Sequence, residues 1–506
     1  MELFLKKDYS EITKLPLLVE EFRAKKSSNS TTTSAIDENS TGKSLQKDKR
    51  RELSEILYSE NFRLGAGKKS LENARVIADD DCEIVITGQQ PCLFTGPSYV
   101  IYKAITAINL AEKLKSEGKK AVAVFWGATE DSDFLEVSSA TVGDEKYAVD
   151  LWEGVDIVGN GKIPHELPPF LADFKMNDEI RDFGDFFCAL MGQLFSDTGL
   201  VICDPRKIRE LTRDIKEREL DNHLESTAIF TCVTDELKAR GIKPQIDKSS
   251  DFVNLYLLDG GERKALRYCD GAFFTPDGAS YSVEKLKERI DMLVPNAILR
   301  PIIQESLFSS RYLVAGANEL NYLLLLPKIF DYFGVKCPEF VLRNGFFLID
   351  PSSSVFLERF GINFLDILTD KKLALERVLA GNKTICAFDK GCTDVMQKIA
   401  KLREIAAANN FNMGISADVA RKRVEKELSA LRKKNINHLK RTSGSAVNEF
   451  FVVCEKILPQ NSLQERYYNI FSYASSISAA QNLISYLCSI SLAEGEVAFC
   501  KSPYFF

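Results

Sequence analysis

Three carboxylates lie close together after an apolar run in the first third of the chain. Glu130, Asp131 and Asp133 follow the segment AVAVFW, which ends at Trp126. Clustered carboxylates can bind an ammonium group, coordinate magnesium or act as a general base. Alternatively, Asp133 caps a helix and the other two carboxylates are solvated. The position beside a tryptophan at the end of an apolar run favours a ligand. We therefore predict that the three carboxylates are catalytic and that Trp126 contacts the substrate.

A second polar loop, TGQQPCLFTGP (87–97), joins an apolar run to a helical pattern. Its glycine spacing matches neither the dinucleotide fingerprint GxGxxG nor the phosphate loop GxxxxGK[ST]. Thr95 and Gly96 should nevertheless present free backbone N–H groups at a helix N-terminus, which favours a phosphate or carboxylate. The alternative is a glycine turn that only packs the helix on the strand. We predict that Thr95 and Gly96 bind substrate.

Other side chains in and after this loop are also candidates for substrate binding. Gln89 and Gln90 can both donate and accept hydrogen bonds, which suits sugar hydroxyls. Tyr102 and Lys103 lie in the following helical pattern, and their spacing allows them to face either a cavity or solvent. Cys92 could be a nucleophile, but no histidine lies near it in the sequence. We therefore favour an inert thiol at that position.

A third loop, AGANE (315–319), follows another apolar run and ends in Glu319 at a predicted helix start. The helix dipole alone explains an acidic residue there, and a substrate contact is the alternative. Arg300 and Arg343 close strand-like segments, where each could pair with a substrate carboxylate or form a structural ion pair. We include Glu319 and Arg300 among the predicted substrate-binding residues.

Strand and helix patterns alternate through the first two thirds of the chain. The predicted strands are EIVIT (83–87), AVAVFW (121–126), GLVICD (199–204), YLVAG (312–316) and EFVLR (339–343), and the helices between them include 97–117 and 319–333. This alternation predicts an α/β fold with a parallel sheet covered by helices on both faces. Ligands bind such sheets beyond the carboxyl ends of the strands, which is where all three loops fall.

Other regions interrupt or follow this pattern. Short alternating runs separated by Gly-Gly and Asp-Gly turns over 252–283 predict a small antiparallel meander inserted into the core. Residues 26–45 are rich in Ser, Thr and Asn and predict a flexible loop before a helix over 47–62. After residue 352 only helical patterns remain. Apolar residues over 424–431 have coiled-coil spacing but are soon interrupted, which predicts a helical hairpin or dimerisation arm.

Composition excludes several classes of function. The 506 residues are enough for two to four domains, and the formal net charge of −6 argues against a nucleic-acid binder. The basic stretch over 421–441 is read as a solvated helix face, with an RNA-binding arm as the alternative. No apolar window is long enough to predict a membrane span.

Cysteine and histidine usage bears on metal sites and on compartment. The twelve cysteines form no CxxC pair and the chain has three histidines, so we expect no zinc site and assign no metal ligands. The first residues lack the apolar run of a secretory signal. Many cysteines without such a signal fit a reducing compartment, and we expect a cytoplasmic protein.

Five segments resemble a known family in their residues and in their order along the chain. They are VITGQQPCLFTGPSYVIYKAI (85–105), AVFWGATEDSDFLEV (123–137), ILRPIIQESLF (298–308), YLVAGANELNYLLLLPKIFDYFGV (312–335) and LPQNSLQERYYNIFSYA (458–474). They are similar to segments of the BshC family, the cysteine-adding enzymes, or cysteine ligases, of bacillithiol biosynthesis. The resemblance runs from the first residues to the C-terminal helices.

The resemblance implies both an architecture and a reaction. It implies a Rossmann-like core over 1–352, with connecting-peptide insertions that include one at about 216–297. It also implies a C-terminal coiled-coil domain over 353–506 that pairs two subunits. The implied reaction joins the carboxyl group of cysteine to the amine of glucosaminyl-malate as an amide. Amide formation from a free carboxylate needs activation, so ATP and magnesium are expected, and the family implies a nucleotide pocket near the helical domain.

The sequence departs from the family pattern in all three loops. The usual EDHDF reads EDSDF, so Ser132 replaces a histidine and a possible proton shuttle is absent. The usual GGPGE reads AGANE, with Ala315, Ala317 and Asn318, and Cys92 replaces a glycine. Two alternatives to the implied reaction therefore stay open. One is a ligase for another amino acid or acceptor, and the other is a catalytically silent dimer that binds a nucleotide or metabolite.

Overall fold

The structure is a computed structural model that describes residues 2–28, 40–149, 156–380, 383–409, 411–442 and 444–502. The strands are Glu2–Asp8 (β1), Glu83–Gln89 (β2), Ala121–Gly127 (β3), Ser139–Val142 (β4), Glu145–Ala148 (β5), Val201–Cys203 (β6), Phe252–Asp259 (β7), Glu262–Cys269 (β8), Ala272–Phe274 (β9), Ser280–Tyr281 (β10), Leu293–Pro295 (β11), Tyr312–Ala315 (β12), Glu339–Leu342 (β13), Gly345–Ile349 (β14) and Glu496–Lys501 (β15).

Helices connect the strands and form most of the last third of the chain. They are Leu17–Ser28 (α1), Ser40–Arg63 (α2), Lys68–Val76 (α3), Tyr99–Ser116 (α4), Phe134–Val137 (α5), Phe183–Leu194 (α6), Arg213–Asp221 (α7), Glu225–Ala239 (α8), Val283–Lys287 (α9), Leu299–Phe308 (α10), Ala317–Leu323 (α11), Pro327–Phe333 (α12), Pro351–Phe360 (α13), Phe364–Thr369 (α14), Lys371–Ala380 (α15), Lys383–Asn409 (α16), Phe411–Thr442 (α17), Gly444–Ile457 (α18), Gln464–Tyr467 (α19) and Ile477–Cys488 (α20).

A five-stranded parallel sheet forms the core, in the order β13-β12-β2-β3-β6. The predicted parallel sheet is confirmed, and β2 and β3 pair in register from Glu83 opposite Ala121 to Gln89 opposite Gly127. Strand order reverses between β2 and β12, which creates the crevice where open α/β sheets bind ligands. The single helix predicted over 319–333 is two helices, because Pro327 lacks the N–H that a continuous helix needs and instead begins α12.

The inserted region is an antiparallel sheet in the order β10-β9-β8-β7-β11. The predicted meander is therefore present, and β11 adds a strand that the sequence pattern did not indicate. Gly260 and Gly261 both have positive φ and form the two-residue turn between β7 and β8. This conformation suits the twist of a tight hairpin and is readily adopted by glycine.

The chain divides into two compact units. The first unit contains residues up to Leu348 and the later segment Glu465–Cys500, and the second contains Ile349–Gln464 with a short piece after Cys500. We predicted that 353–506 forms one helical domain, whereas Glu465–Cys500 of that range belongs to the first unit. The chain returns there because β15, near its end, pairs between β1 and β14 in a three-stranded sheet.

The second unit is helical, and its longest helices, α16 and α17, form an antiparallel hairpin. Ion pairs join the two helices, between Arg432 and Asp389 at 2.8 Å and between Arg403 and Asp418 at 3.3 Å. The predicted helical hairpin is therefore present. Dimerisation through it stays a prediction.

The N-terminal region contains more helix than the sequence pattern predicted. The loop predicted over 26–45 begins inside α1, and α2 starts at Ser40 rather than at Lys47. Residues 29–39 of that predicted loop lie outside the described part of the chain. In the parts of the chain that the structure describes, we find no helix with the length and apolar character needed to cross a bilayer.

Candidate active site

A cavity of about 570 Å³ lies in the first unit, at the carboxyl ends of the parallel strands. Gln89 and Gln90 line it from the first loop, Glu130 and Asp131 from the second, and Glu319 from the third. The predicted convergence of the three loops is therefore confirmed. Parallel strands bring their carboxyl ends to one edge, which is why segments more than 200 residues apart meet there.

A buried lysine joins the first and third loops. Lys103 on α4 donates from Nζ to the backbone oxygen of Gly88 at 2.9 Å, to Gln89 Oε1 at 3.0 Å and to Glu319 Oε2 at 2.6 Å. Its side chain is 5% exposed and that of Glu319 is 19% exposed. The sequence pattern allowed Lys103 to face either a cavity or solvent, and it faces the cavity. Its three acceptors belong to the first and third loops, so Lys103 holds these two loops together.

Arg300 also pairs with Glu319. Its Nη2 lies 3.4 Å from Glu319 Oε1 and donates to the Tyr322 hydroxyl at 3.0 Å, while Nη1 donates to Gln304 Oε1 at 3.3 Å. The sequence pattern placed Arg300 at the end of a strand, whereas it occupies the first turn of α10. Arg300 lines the cavity as predicted, with its guanidinium already engaged by neighbouring side chains.

The acidic loop is held in place by contacts beneath it. Thr129 Oγ1 donates to Asp204 Oδ1 at 2.6 Å, and the Val158 N–H donates to the Asp131 backbone oxygen at 2.8 Å. The Glu130 carboxylate, which is buried, pairs with Arg209 Nε at 2.5 Å. The two carboxylates therefore differ, since Glu130 is already ion-paired and Asp131 is more open to a ligand.

Asp133 has the structural role that was the alternative to catalysis. Its carboxylate caps α5 by accepting from the Glu136 N–H at 3.2 Å, and its side chain lies outside the cavity lining. Glu136 lines the cavity instead and lies 3.4 Å from Gln90 Nε2. The structure therefore places Glu136, rather than Asp133, in the cavity lining beside Glu130 and Asp131, and a catalytic role for Asp133 stays a prediction.

The prediction of free N–H groups at Thr95 and Gly96 is wrong. The Thr95 N–H donates to the Cys92 backbone oxygen and the Gly96 N–H to the Leu93 backbone oxygen, at 3.1 and 2.8 Å. Both Thr95 and Gly96 have positive φ, so the chain turns in a left-handed sense, and the Asn469 side chain donates to the Gly96 carbonyl at 2.6 Å. Neither residue lines the cavity.

Two other residues of this region face the core. Tyr102 is fully buried, packs edge-on against Phe346 with ring centroids 5.0 Å apart, and does not line the cavity. Cys92 is 2% exposed and directs Sγ at the Gln90 backbone oxygen, 3.3 Å away. Burial raises the pKa of the Cys92 thiol well above its ordinary value, so the thiolate needed for nucleophilic attack is disfavoured.

The inserted sheet supplies cavity residues that the sequence analysis missed. Arg263 donates to Ser132 Oγ at 3.0 Å, lies 3.9 Å from Asp131 Oδ1, and stacks 4.0 Å from the Tyr256 ring centroid. Lys248 and Tyr256 also line the cavity, as does Trp126, which was predicted. No local motif marks the insertion residues, because only the tertiary fold brings the hairpin over the acidic loop.

Positive and negative charges are mixed around the cavity. Cations from the core, the insertion and the segment after Glu465 face the carboxylates of the acidic loop and Glu319. Within the described ranges, no three His, Cys, Asp or Glu side chains are grouped so that they could hold a metal ion. The site therefore suits a small ligand that carries both an amine and carboxylates.

Comparison with known proteins identifies the family. Residues 7–177 and 171–344 match the domain described as "Bacillithiol biosynthesis BshC, N-terminal Rossmann-like domain". Residues 346–489 match "Bacillithiol biosynthesis BshC, C-terminal coiled-coil domain". The chain belongs to the BshC family. The resemblance carried by the five sequence segments is thereby confirmed. The fold class is confirmed too, because the BshC Rossmann-like match covers the parallel sheet and every cavity-lining residue except Arg466.

Relatives of this BshC family member are similar over most of their length. A protein of Salinibacter ruber named "Putative cysteine ligase BshC" is 28% identical over 466 residues, which are 85% of this chain and 84% of the relative. A protein of the same name from Geobacillus thermodenitrificans is 28% identical over 471 residues, covering 84% and 85%. One from Heliobacterium modesticaldum is 27% identical over 469 residues, also covering 84% and 85%.

Proposed function

We propose that the protein is a ligase of bacillithiol biosynthesis that joins the carboxyl group of cysteine to the amine of glucosaminyl-malate. The observation that carries this proposal is the convergence of three polar loops on one cavity in the Rossmann-like part of a BshC chain. The relatives' printed name supports the cysteine half of the reaction. The acceptor, the amide bond and the need for ATP are part of the proposal.

The chemistry requires the ammonium form of the acceptor to lose a proton so that the amine lone pair can attack a carbonyl carbon, and the adduct then loses a second proton from nitrogen. Asp131 is the best candidate for the base, because it lines the cavity and its carboxylate lies 3.9 Å from Arg263 Nη1, too far for a hydrogen bond. Glu130 is committed to Arg209 at 2.5 Å and serves to fix the loop and bind an ammonium group. Formation of the C–N bond then releases the activating group from the cysteine carbonyl.

The amide side chains of the first loop suit the sugar. Gln89 Nε2 donates to Gln90 Oε1 at 2.7 Å, and both residues line the cavity. Gln90 Nε2 has only a long contact to Glu136, at 3.4 Å, and is available to a hydroxyl oxygen. Trp126, which is 2% exposed, adds an apolar side chain to the same lining. Together these groups provide the mixed polar and apolar surface that a pyranose ring needs.

ATP is proposed as the co-substrate that activates the cysteine carboxylate as an adenylate, whose formation releases pyrophosphate and whose AMP leaves when the amide forms. The cationic side chains around the cavity are compatible with phosphate oxygens. Magnesium, which commonly binds through one or two carboxylates and the substrate phosphates, would accompany ATP. Glu136 is the carboxylate proposed to bind this metal, because it lines the cavity and has no ion pair to an arginine or lysine in the described structure, which leaves Asp131 as the base.

The experiment is mass spectrometry of the full-length protein with cysteine and glucosaminyl-malate, with and without ATP. We expect a product at the mass of the amide only when ATP is present, and loss of that product in Asp131→Asn. Product without ATP would refute the activation step. No product with cysteine, but product with another amino acid from a panel, would replace the substrate while retaining the ligase. Ligand binding without any product would favour a silent family member.

Pairing of two chains through the helical unit is also proposed. Leu402 and Ile405 on α16 are 63% and 62% exposed, and Val419 on α17 is 49% exposed, although all three are apolar. Exposed apolar residues on a helical hairpin are typical of a helix–helix interface. Sedimentation equilibrium of the wild type should give twice the chain mass, and Leu402→Glu with Ile405→Glu should give the monomer. A monomeric wild type would refute this.

A further inference from the structure

Two cationic side chains of the inserted region line the cavity without an assigned ligand. Lys248 precedes β7, and Arg263 lies on β8. Lys248 is half-buried and the Arg263 side chain is 13% exposed, so both can be reached from the cavity. Neither residue takes part in the proton transfer or in the sugar contacts of the proposed reaction, which leaves two positive charges in the site to be explained.

Two aromatic rings connect these cations to each other. Lys248 Nζ lies 4.0 Å from the Phe252 ring centroid, and Arg263 Cζ lies 4.0 Å from the Tyr256 ring centroid. The two rings meet edge to face with their centroids 5.9 Å apart. Burial lowers the pKa of the Lys248 ammonium, and the charge of Arg263 lowers it further. The two positive charges are therefore near enough to repel each other, and an anion between them would relieve that repulsion.

The protein leaves donors on both cations for a ligand. Within the described ranges, Lys248 has no ion pair or hydrogen bond. Arg263 Nη1 donates to Ser132 Oγ at 3.0 Å, and Nη2 donates to the Pro295 backbone oxygen at 3.1 Å. The Asp131 carboxylate is 3.9 Å from Nη1, beyond hydrogen-bond length. Arg263 Nε has practically no accessible surface, so the second hydrogen on each Nη is the one that can serve a ligand.

The acceptors that hold Arg263 are uncharged. Ser132 stands where the family pattern has a histidine, and its hydroxyl oxygen accepts one Arg263 hydrogen bond. The Pro295 backbone oxygen accepts another, and the Tyr256 ring packs against the guanidinium plane. These contacts fix the orientation of Arg263 without neutralising it. A fixed and uncompensated guanidinium beside a free ammonium is a prepared binding site for an anion.

The spacing of the two cations favours a polyphosphate. A single carboxylate has one negative charge and would leave one cation uncompensated. Pyrophosphate carries several negative charges and has oxygens on two phosphorus atoms, so it can reach two cations that are separated by two aromatic rings. Lysine and arginine both bind phosphate oxygens, lysine as a point charge and arginine through its planar fork. Malate, which has two carboxylates, is the competing ligand.

We propose that Lys248 and Arg263 form the subsite for the β- and γ-phosphates of ATP and for the pyrophosphate released from it. This subsite rests on the proposed function. A carboxylate oxygen of cysteine attacks the α-phosphorus, and the bond from that phosphorus to the oxygen of the β-phosphate breaks. The electron pair of the broken bond leaves with pyrophosphate. The two cations stabilise the negative charge that develops on this leaving group.

The test is calorimetric titration of the full-length protein with inorganic pyrophosphate, ATP, AMP and malate, at fixed ionic strength and with magnesium chloride. Lys248→Met and Arg263→Gln each remove one cation, and Lys248→Arg keeps the charge. Lys243→Met is the matched control for the lysine, at an exposed position of the same loop outside the cavity lining. Arg267→Gln is the control for the arginine, on the same strand and with a 57% exposed side chain. The unfolding temperature of each variant is measured alongside.

We expect Lys248→Met and Arg263→Gln each to raise the Kd for pyrophosphate and for ATP by about 10-fold, as for loss of a charge-assisted hydrogen bond. Lys248→Arg and both controls should stay within about threefold of wild type, and the Kd values for AMP and malate within about twofold. Unchanged pyrophosphate binding in both variants, a loss confined to malate, or a wild type that does not bind pyrophosphate would each overturn the subsite.

Two features keep the result independent of other failures. If Arg263→Gln unfolds, the comparison of Lys248→Met with Lys248→Arg still decides, because the two variants differ in charge at one half-buried position. Pyrophosphate binding is measured without cysteine or acceptor, so an inactive ligase assay leaves the subsite standing. Product formation together with unchanged pyrophosphate binding in the variants would overturn the subsite and leave the ligase in place.

Discussion

The contact between Lys103 and Glu319 offers a sharp test of how the cavity is built. Glu319→Gln keeps the shape of the side chain but removes its charge. Lys103 would then remain buried with two neutral acceptors, Gly88 O and Gln89 Oε1, and Arg300 would lose its nearest anion. The change therefore isolates the electrostatic part of the interaction between the first and third loops.

The expected magnitude follows from burial. Removing one partner of a fully buried ion pair destabilises a protein by about 3–5 kcal/mol, and hydrogen bonds to charged groups contribute about 1.5–3 kcal/mol. The Glu319 side chain is 19% exposed, so water compensates part of the loss. We expect Glu319→Gln to lower the free energy of unfolding by about 2 kcal/mol. Glu236→Gln, in a pair with Lys328 that is 61% and 59% exposed, should change it by about 0.5 kcal/mol or less.

Tryptophan fluorescence can follow this region directly. The chain has two tryptophans, Trp126 and Trp152, and Trp126 lines the cavity. In a Trp152→Phe background, urea unfolding followed by Trp126 emission reports on the unit that contains the site. The midpoint and slope of that transition give the free energy of unfolding for each variant.

A double mutant completes the test. Lys103→Met removes the cation and keeps most of the length of the side chain. In the double variant Lys103→Met with Glu319→Gln, neither charge is left buried without its partner. The double variant should therefore lose less stability than the sum of the two single losses. A coupling of about 1–3 kcal/mol is expected for groups in direct contact. Equal losses for Glu319→Gln and Glu236→Gln, or strict additivity in the double mutant, would refute the view that a buried charge pair joins the two loops.

Three further predictions concern individual residues. Asp133→Asn should leave kcat within about twofold of wild type, because asparagine also caps helices. Asp131→Asn should lower kcat at least about 100-fold, because it removes the proposed base. Steady-state assays of the proposed reaction measure both effects. Iodoacetamide should label the exposed Cys232 of the native protein but not the buried Cys92 at pH 8, as peptide mass mapping would reveal. Burial raises the pKa of Glu219 from 4.5 to about 7. Between these two pH values the folded state binds more protons than the unfolded state. The contribution of Glu219 to the free energy of unfolding therefore falls as pH rises, by at most about 3 kcal/mol. Glu219→Gln should remove this decline when urea unfolding is compared at pH 5 and pH 7, and an unchanged decline would contradict the assignment.

Much of the fold could be predicted because its signals are local. Buried parallel strands need continuous apolar runs, and all five strands of the core sheet coincide with such runs in the sequence. The Gly-Gly pair that marks the turn between β7 and β8 is likewise a local signal. The point at which the chain returns to the first unit could not be predicted this way. A strand such as β15 is placed by pairing with β1 and β14, from opposite parts of the chain.

The sequence by itself determined which loops meet, because parallel strands oblige their carboxyl ends to share one edge. Only the tertiary structure decided what each side chain does there. It turned Asp133 to a helix cap and bonded the N–H groups of Thr95 and Gly96 within the loop. It also brought Arg466, which is distant in sequence from the other loops, to the lining of the cavity. The physical reason is that strand formation depends on nearest neighbours, whereas burial, charge pairing and donor satisfaction depend on residues distant in sequence.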